Sequence, residues 1–232
     1  TEKELEPYDP YDYYHDNKID IPHPYTHSFK EMAKNSYDIY LKDKMLNALI
    51  LHGTSSNPYD NWFPWLESEL QKQGYITWVP GLPNSKQPNI KRYNDYILDN
   101  KRWKINEKST LIGHSSGAVA VLGLLQALPE ATRVDTCVLV SAFKDNLGMA
   151  DLDGLFEEEF DLTKIKKKAK RFILIHSDDD PYCPLKHAEY LSKKLGAKLV
   201  IKKGQGHFNL EKGIQYKEFP FLLDLLKKSG TD

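Results

Sequence analysis

The sequence has little of three features that mark common classes of protein. It has two cysteines in 232 residues, Cys137 and Cys183, which are too few for a disulfide framework or a cysteine zinc cluster. It has no excess of positive charge, because 32 Lys and Arg residues stand against 33 Asp and Glu residues. Nucleic-acid binders need a concentrated positive field, so this class is not favoured. No apolar run approaches the ~18–20 residues that a membrane helix needs.

These absences indicate the cellular compartment and the partners of the protein. We expect a reducing, cytoplasmic setting, no nucleic-acid or membrane partner, and a monomer or small homo-oligomer. Cys137 lies in an apolar run and should be buried, whereas Cys183 lies in a proline-flanked loop and should be partly exposed. The sequence begins without Met or a signal-like segment, so we expect a trimmed chain in which any removed leader leaves no trace.

One basic run, at residues 164–171, interrupts the even spread of charge. It is most simply a solvated segment before a strand, and only weakly a candidate anion patch. The apolar fraction of 40% supports a real core, and the charged fraction of 28% supports a polar surface. The length fits one domain with an extension.

Residues 1–46 differ in composition from the rest. They are rich in tyrosine, aspartate and proline, and residues 28–42 carry apolar side chains at helical intervals. We therefore predict an irregular arm and a short helix that pack on a domain spanning 47–232. The acidic part of the arm lacks the glycine and the terminal glutamate of a calcium loop, so no metal is expected there.

From residue 47 onward, short apolar runs alternate with amphipathic segments. Such uninterrupted apolar strands between helices indicate a parallel sheet that is buried on both faces. We predict an α/β three-layer sandwich with helices on both faces and a minimal lid. Residues 143–168 do not belong to the alternation, and they form either a small flap over the site or a surface connection. The predicted strands are 48–51, 75–79, 109–112, 136–140, 171–176 and 198–201, and the predicted helices are 62–73, 90–103, 117–128, 184–195 and 217–228.

The motif at residues 113–117 reads Gly-His-Ser-Ser-Gly, between an apolar run and a run of small residues. It matches G-x-S-x-G, a tight strand-to-helix turn that holds a serine in a strained conformation. In this register Ser115 is the candidate nucleophile, and Ser116 offers its backbone N–H to an oxyanion. A glycine-serine turn without a catalytic role would give the same five residues. The residues at the other strand ends are therefore needed to distinguish the two interpretations.

Two later strand ends carry the groups that a serine nucleophile requires. Three aspartates, residues 178–180, follow one strand, and His207 lies in a glycine-rich loop after the last strand. Since ligands bind at the carboxyl ends of parallel strands, these loops should converge near Ser115. A serine hydroxyl needs a base to take its proton, and a carboxylate orients that imidazole and stabilises its charged form. The order Ser, Asp, His is the one expected of an α/β-hydrolase.

Several residues compete for the roles of acid and base. Of eight histidines, His207 alone sits in a glycine-rich loop downstream of both serine and acid, whereas His114 inside the turn is expected to be structural. Asp180 is favoured over Asp179, because it heads an Asp-x-x-x-Pro turn into a helix. Asp178 and Asp179 are expected to bond backbone amides of the turn or to face solvent.

The remaining site residues rest on weaker signals. An oxyanion needs a second N–H besides that of Ser116, and the amide of Thr54, in the loop after the first strand, is the candidate. Trp62, Trp65 and Pro83 are candidates for an apolar acyl pocket. The aromatic pair fits the packing of a helix on the sheet at least as well.

In combination these motifs resemble the α/β-hydrolase superfamily, and more narrowly the small serine hydrolases of the YdeN/RBBP9 type. The resemblance covers most of 47–228 and rests on His-Gly at 52–53, Asn-Trp-Phe-Pro-Trp-Leu at 61–66, the motif at 113–117, Ser-Asp-Asp-Asp-Pro at 177–181 and Gly-His-Phe at 206–208. It implies a compact hydrolase whose triad is Ser115, Asp180 and His207. The arm at 1–46 departs from the family pattern, which begins close to the first strand.

The sequence therefore predicts a serine hydrolase that forms an acyl-enzyme. A carboxylesterase for small or medium acyl esters is the favoured activity, with a small-molecule acyl substrate and neither a metal nor an organic cofactor. A thioesterase, lipase, amidase or peptidase would use the same triad. A binding module on a hydrolase fold, with the arm as its contact surface, is the alternative outside enzymes.

Overall fold

The computed structural model describes residues 45–101 and 103–227. In this part of the chain, strands and helices alternate as the apolar runs predict. The strands are β1 (Asn47–Leu51), β2 (Ile76–Trp78), β3 (Ser109–His114), β4 (Val134–Val140), β5 (Ala169–Ser177) and β6 (Lys198–Lys202). The α-helices are α1 (Phe63–Lys72), α2 (Ile90–Leu98), α3 (Ser116–Ala127), α4 (Leu162–Lys166), α5 (Leu185–Leu195) and α6 (Pro220–Lys227). Residues 1–44, which hold most of the predicted arm and its helix, lie outside the described residues.

The six strands form one sheet in the order β2-β1-β3-β4-β5-β6, and every pairing is parallel. Leu51 at the end of β1 is in register with Gly113 of β3, and Val140 at the end of β4 is in register with His114. Because parallel strands all point the same way, the loops that follow them meet along one edge of the sheet. The predicted α/β sandwich is confirmed.

Apolar side chains cover both faces of this sheet. Every residue of β1 and β3 is buried. On one face Leu111 of β3 packs with side chains of α2, α3 and α5, and on the other face Ile112 packs with those of α1 and α6. Burial of each such side chain contributes about 1.5–3 kcal/mol. The long apolar runs thus fix the centre of the sheet, and with it the strand that feeds the Gly-His-Ser-Ser-Gly motif.

Two predicted helices are shorter than their sequence pattern. Helix α2 ends at Leu98 rather than at residue 103, because the Asn100 side chain accepts a hydrogen bond from the Trp103 N–H at 2.9 Å and turns the chain. Helix α6 starts at Pro220 rather than at residue 217. A proline lacks a backbone donor and has a fixed φ, so it suits the first turn of a helix and not its interior.

The segment at 143–168 folds down onto the domain. It contains a 3₁₀ helix, Ala150–Leu155, whose Leu152 and Leu155 pack against Val119 of α3. A Cβ at Gly154 would lie 2.6 Å from the carbonyl oxygen of Pro88, so this glycine allows the close approach. The segment therefore covers the side of α3 one turn beyond Ser115.

None of the helices in the described part of the chain has the length and apolar character needed to span a membrane.

Candidate active site

Ser115 stands between β3 and α3 with φ 57° and ψ −125°. This backbone conformation is uncommon for a residue with a side chain, and such strain persists only where the surroundings impose it. Here the Ser115 N–H donates to the carbonyl oxygen of Val140 at 2.9 Å, and the Ser115 carbonyl accepts from the N–H of Ala118 at 2.9 Å. The turn is thus held by backbone contacts on both sides of the serine.

The glycines that flank the serine are required by close packing. A Cβ at Gly113 would lie 2.4 Å from the carbonyl oxygen of Gly117, and a Cβ at Gly117 would lie 2.2 Å from that of Leu51. Both obstacles are backbone atoms, which cannot rotate away. The first turn of α3 therefore touches both β3 and β1, and only glycine fits at these two positions.

The structure joins His207 to Asp180. The Nδ1 atom of His207 lies 2.9 Å from Oδ2 and 3.0 Å from Oδ1 of Asp180. The Asp180 side chain is fully buried, and that of His207 is 8% exposed. A buried carboxylate at Nδ1 fixes the imidazole tautomer and leaves Nε2 as the atom that can accept a proton.

Asp180 accepts hydrogen bonds from three further donors. These are the Ser141 hydroxyl at 2.7 Å and the backbone N–H groups of Tyr182 and Cys183 at 3.0 Å each. Burial alone would raise the pKa of Asp180, but the hydrogen bond and charge of His207, together with these donors, hold its pKa below the ordinary value. The carboxylate is therefore kept ionised beside the imidazole.

Sequence reasoning did not identify Ser141. It directly follows β4, so it stands at the same edge of the sheet as the residues that were identified, and its φ of 52° marks a strained turn. The signal of a polar residue after an apolar run was therefore present. A single serine gave no reason to prefer it over other strand ends.

The two neighbouring aspartates hold the loop that carries His207. Asp178 accepts from the Gly204 N–H at 2.8 Å. Asp179 accepts from the Gly206 N–H at 2.6 Å and pairs with Lys212 at 2.9 Å. Both aspartates are exposed, as one of the two expectations has it, and the amides that they bond belong to the neighbouring loop rather than to their own turn.

His114 links the serine turn to the same loop. Its Nε2–H donates to the carbonyl oxygen of His207 at 2.7 Å, and the two rings lie 4.7 Å apart. Burial, reinforced by the nearby His207, lowers the pKa of His114 to about 3, so the ring is neutral. The expected structural role of His114 has a definite geometry: it clamps the backbone of the candidate base.

Trp62 supports this loop from the core. Its indole N–H donates to the carbonyl oxygen of Phe208 at 3.0 Å, and its side chain is 0% exposed. This corrects the expectation that Trp62 lines an open pocket, because a fully buried ring that packs among core aromatics is not accessible to an entering ligand. Trp65 is partly buried against the same core cluster. Of the three proposed pocket residues, Pro83 lies in the loop after β2, at the carboxyl edge of the sheet.

Three other buried histidines serve the framework. His52 bonds the Gly53 carbonyl through Nδ1 and the Leu82 N–H through Nε2, each at 2.9 Å. His176 donates to the carbonyl oxygen of Cys183 at 2.7 Å. Burial lowers the pKa of both rings and that of His187. None of them is paired with a carboxylate as closely as His207 is.

The loop after β1 approaches the serine turn. A Cβ at Gly53 would lie 3.1 Å from Cβ and 3.6 Å from Oγ of Ser115. The Thr54 hydroxyl donates to the Ser116 hydroxyl at 2.9 Å, which ties together the two loops that hold the candidate oxyanion amides. Within the described residues, neither of those N–H groups donates to another protein group.

Ser115 and His207 are not directly bonded. Within residues 45–101 and 103–227, no hydrogen bond joins the Ser115 hydroxyl to the His207 ring. Contacts of this kind are often long without substrate and tighten in the complex. The structure therefore brings together acid and base, and places the serine in the neighbouring loop.

Cys183 is 1% exposed, which corrects the expectation of partial exposure. Its backbone is held by Asp180, and its side chain packs with Val119 and Phe143.

The ligand atoms of Asp180, Cys183 and His207 lie within 4.8 Å of one another, close enough to surround a metal ion. However, the Asp180 oxygens are already engaged by four donors, and burial raises the pKa of the Cys183 thiol well above its ordinary value, which disfavours the thiolate ligand.

Comparison with known proteins identifies the family of the chain. The family model described as "Serine hydrolase" matches residues 48–228. The Bacillus subtilis (strain 168) protein YdeN, named as a hydrolase, is 30% identical over 178 residues, which cover 76% of this chain and 92% of YdeN. The serine hydrolase RBBP9 of Rattus norvegicus is 29% identical over 177 residues, 73% of this chain and 87% of that protein.

A solved structure extends the match to three dimensions. The crystal structure of the B. subtilis ydeN gene product superposes with a TM-score of 0.75 at 27% identity, and the match covers 81% of this chain and all of the other. Sequence family, relatives and fold thus agree over the same part of the chain. The chain belongs to the serine hydrolase family, as a small serine hydrolase of the YdeN/RBBP9 type.

Proposed function

We propose that the protein is a carboxylesterase for small or medium acyl esters, with Ser115 as nucleophile, His207 as general base and Asp180 as the acid that orients it. One observation carries the proposal: the buried contact of 2.9 Å between His207 Nδ1 and Asp180. It leaves Nε2 of His207 as the proton acceptor, in a loop clamped by the residue that precedes Ser115. Family membership supports the reaction class, hydrolysis through a serine.

In the first half of the reaction, Ser115 Oγ attacks the ester carbonyl carbon while its proton passes to Nε2 of His207. The carbonyl oxygen becomes an oxyanion, which accepts hydrogen bonds from the N–H groups of Thr54 and Ser116. Collapse of this intermediate breaks the bond to the alkoxy group, and the proton on Nε2 leaves with the alcohol. The acyl group then remains as an ester of Ser115.

In the second half, water attacks the acyl carbon and gives its proton to Nε2 of His207. The same amides hold the second oxyanion, and its collapse restores the Ser115 hydroxyl and releases the acid. Asp180 keeps its charge throughout and stabilises the imidazolium form of His207. Four hydrogen bonds on Asp180 support this role, since they stabilise the ionised carboxylate.

A cytoplasmic location is part of the proposal. Both cysteines are free and buried, so the fold does not depend on an oxidising compartment.

A fluorophosphonate probe tests the nucleophile. We expect the wild-type protein to be labelled, the Ser115→Ala variant to be unlabelled, and tandem mass spectrometry to locate the adduct on Ser115 rather than on Ser116. Ser192→Ala is the matched control, because the hydroxyl of Ser192 bonds only within its own helix, to the carbonyl of Glu189. Absence of label on the folded wild type would favour a binding module instead.

A panel of substrates with one acyl chain and three leaving groups tests the ester preference. We expect kcat/KM to be highest for the oxygen ester, lower for the thioester and lowest for the amide. A higher kcat/KM for the thioester or the amide would replace the carboxylesterase proposal and leave the serine mechanism in place.

A further inference from the structure

A cavity of about 490 Å³ lies at the edge of the sheet opposite to Ser115, where β4, β5 and β6 begin. Its size falls in the range of ligand pockets, roughly 300–1,000 Å³. The floor is apolar and includes Phe172, Ile173, Leu195 and Leu225. The rim is basic and consists of Arg133, Lys166, Lys170, Arg171 and Lys198.

Within the described part of the chain, few carboxylates lie near the positive charges of this rim. Among the described residues, no Asp or Glu lines the cavity. Asp135 pairs with both Arg171, at 2.8 Å, and Lys170, at 3.4 Å. Within residues 45–101 and 103–227, Lys166 and Lys198 form no ion pair. The basic run noted in the sequence thus folds into one side of a cationic cavity.

The chain carries a segment of complementary chemistry outside the described residues. Residues 1–16 hold six carboxylate side chains and one lysine, and they include Tyr8, Tyr11, Tyr13 and Tyr14. The rest of the chain therefore has a formal charge of +4, against −1 for the whole. Carboxylates interleaved with tyrosines suit a site with a cationic rim and an apolar floor, because the two kinds of side chain satisfy the two parts of the site.

The chain also enters the domain at the correct edge. Residue 45 precedes β1, and all strands start at the edge where the cavity lies. The Asn106 side chain donates to the carbonyl oxygen of Met45 at 3.1 Å. Glu107, the residue after Asn106, accepts through its carbonyl oxygen from Lys170 of the cavity rim at 3.3 Å. Three strand spacings separate β1 from β5, about 14 Å at ~4.8 Å each. The residues between 16 and 45, at up to ~3.3 Å each, span this distance with ease.

We propose that residues 1–16 dock in this cavity of their own chain, with their carboxylates on the basic rim and their tyrosines over the apolar floor. The interaction lies at the far edge of the sheet from Ser115. It therefore anchors the acidic segment to the domain and takes no part in the hydrolytic chemistry. It stands or falls independently of the proposed esterase activity.

Carbodiimide cross-linking of the full chain tests this docking, because the reagent joins carboxylates to lysine amines that are in contact. We expect mass spectrometry to find cross-links from residues 1–16 to Lys166, Lys170 or Lys198. The Lys170–Asp135 pair, at 3.4 Å, is the internal positive control. The yield to the segment should fall at least threefold between 20 mM and 500 mM salt, since contacts among exposed charges are screened.

A charge reversal that leaves every lysine in place provides the second readout. Arg133→Glu should lower the yield of these cross-links about threefold or more, whereas Lys86→Glu, an equal change at an exposed residue outside the cavity, should leave it unchanged. Ester turnover should remain within about twofold of wild type in both variants. If Arg133→Glu does not fold, Arg133→Gln and the salt series on the wild type still decide the matter.

Each other outcome overturns the proposal. Mixed isotope-labelled and unlabelled protein distinguishes contacts within one chain from contacts between chains, and cross-links only between chains would assign the cavity to a second copy. Cross-links from Asp232 or the chain terminus, in place of residues 1–16, would assign it to the C-terminal segment. Formation of the Lys170–Asp135 product without any product to residues 1–16 would leave the acidic segment undocked.

Discussion

The serine turn and the acid–base loops lie side by side at one edge of the sheet, but they are held in different ways. The turn at 113–117 is positioned by backbone packing, since its two glycines touch backbone atoms of β1 and of the turn itself. The loops of Asp180 and His207 are positioned by side chains, among them those of Ser141 and Trp62, which hydrogen-bond across strands. The position of the serine turn is therefore set by backbone packing, whereas the positions of the other two loops depend on side-chain hydrogen bonds.

This difference separates stability from activity. Damage to the packed turn displaces β1, β3 and α3 together, so it should appear as a loss of folding. Damage to the hydrogen-bonded loops leaves both faces of the sheet covered, so it should appear as a loss of turnover in a folded protein. The following variants test whether the two regions behave so differently.

The largest effect is expected at the acid. Asp180→Asn should lower kcat about 10⁴-fold, because the amide no longer fixes the productive tautomer of His207 or stabilises its charged form. Steady-state kinetics with an activated ester measures the loss, and circular dichroism should show an intact fold. Asp178→Asn is the matched control, since that residue bonds the Gly204 amide and not the ring. Equal losses in the two variants would reassign the acid.

The next effect concerns the packed turn. Gly117→Ala should cost about 3 kcal/mol of unfolding free energy or more, because its Cβ would lie 2.2 Å from a backbone oxygen. Urea denaturation measures the loss. Gly81→Ala is the control, since a Cβ there would meet its nearest neighbour at 3.8 Å, and we expect a change within about 1 kcal/mol. A stable but inactive Gly117→Ala protein would remove the distinction between the two regions.

His114 joins the two regions, and its buried ring should make the free energy of unfolding depend on pH. Its pKa is lowered from 6.5 to about 3 in the folded protein. Between these pH values the unfolded chain binds a proton at His114 that the folded chain does not. The contribution of this residue to the free energy of unfolding is therefore complete above pH 6.5 and is lost progressively as the pH falls. At about 1.4 kcal/mol per pH unit, the loss from this residue by pH 5 is about 2 kcal/mol.

The variant His114→Gln isolates this contribution. Its amide keeps a donor for the His207 carbonyl but does not titrate. Urea denaturation at pH 7 and pH 5 should show a fall in stability about 2 kcal/mol smaller in the variant than in the wild type. The other buried histidines are common to both proteins and cancel in the comparison. An equal fall would mean that His114 is protonated in the folded state.

The smallest effect is expected at Ser141. Ser141→Ala removes one of four donors to Asp180, and we expect kcat to fall about tenfold with KM unchanged, since about 1.4 kcal/mol of support for the charged pair is lost. Thr136→Val, at the other end of β4, removes a hydroxyl that bonds Asp135 and Arg171 and should leave kcat unchanged. A rise in KM alone would place Ser141 in substrate binding.

Most of the framework, and the positions of the main candidate residues at the strand ends, were predictable from the sequence. The central strands follow from apolar runs, since a parallel strand buried on both faces leaves an uninterrupted pattern. The edge strand β6 is exposed or half-buried throughout, but it still contains the apolar run 199–201. The position of Ser115 follows from a short window in which each residue type has a steric reason. The contact of His207 with Asp180, rather than with Asp178 or Asp179, follows from the turn that Asp180 begins.

The residues that were missed or given the wrong environment act through contacts that no local pattern records. Ser141 reaches Asp180 across 39 positions, and Trp62 reaches Phe208 across 146. The side chain of Trp62 looked equally suited to a pocket and to the core, because its hydrophobicity does not say on which side of the sheet it packs. Cys183 lies in a loop, but the hydrogen bonds of Asp180 draw that loop inward, so its burial depends on tertiary structure.

The order of the strands also has a consequence for the synthesis of the protein. The chain is made from its N-terminus, and domains fold as their residues become available. Ser115, Ser141 and Asp180 emerge in turn, but His207 follows β6, an edge strand and the last of the described strands to be made. A nascent chain is therefore without its candidate base until all six described strands have been made. Under the proposed mechanism, the appearance of ester hydrolysis would report completion of the sheet.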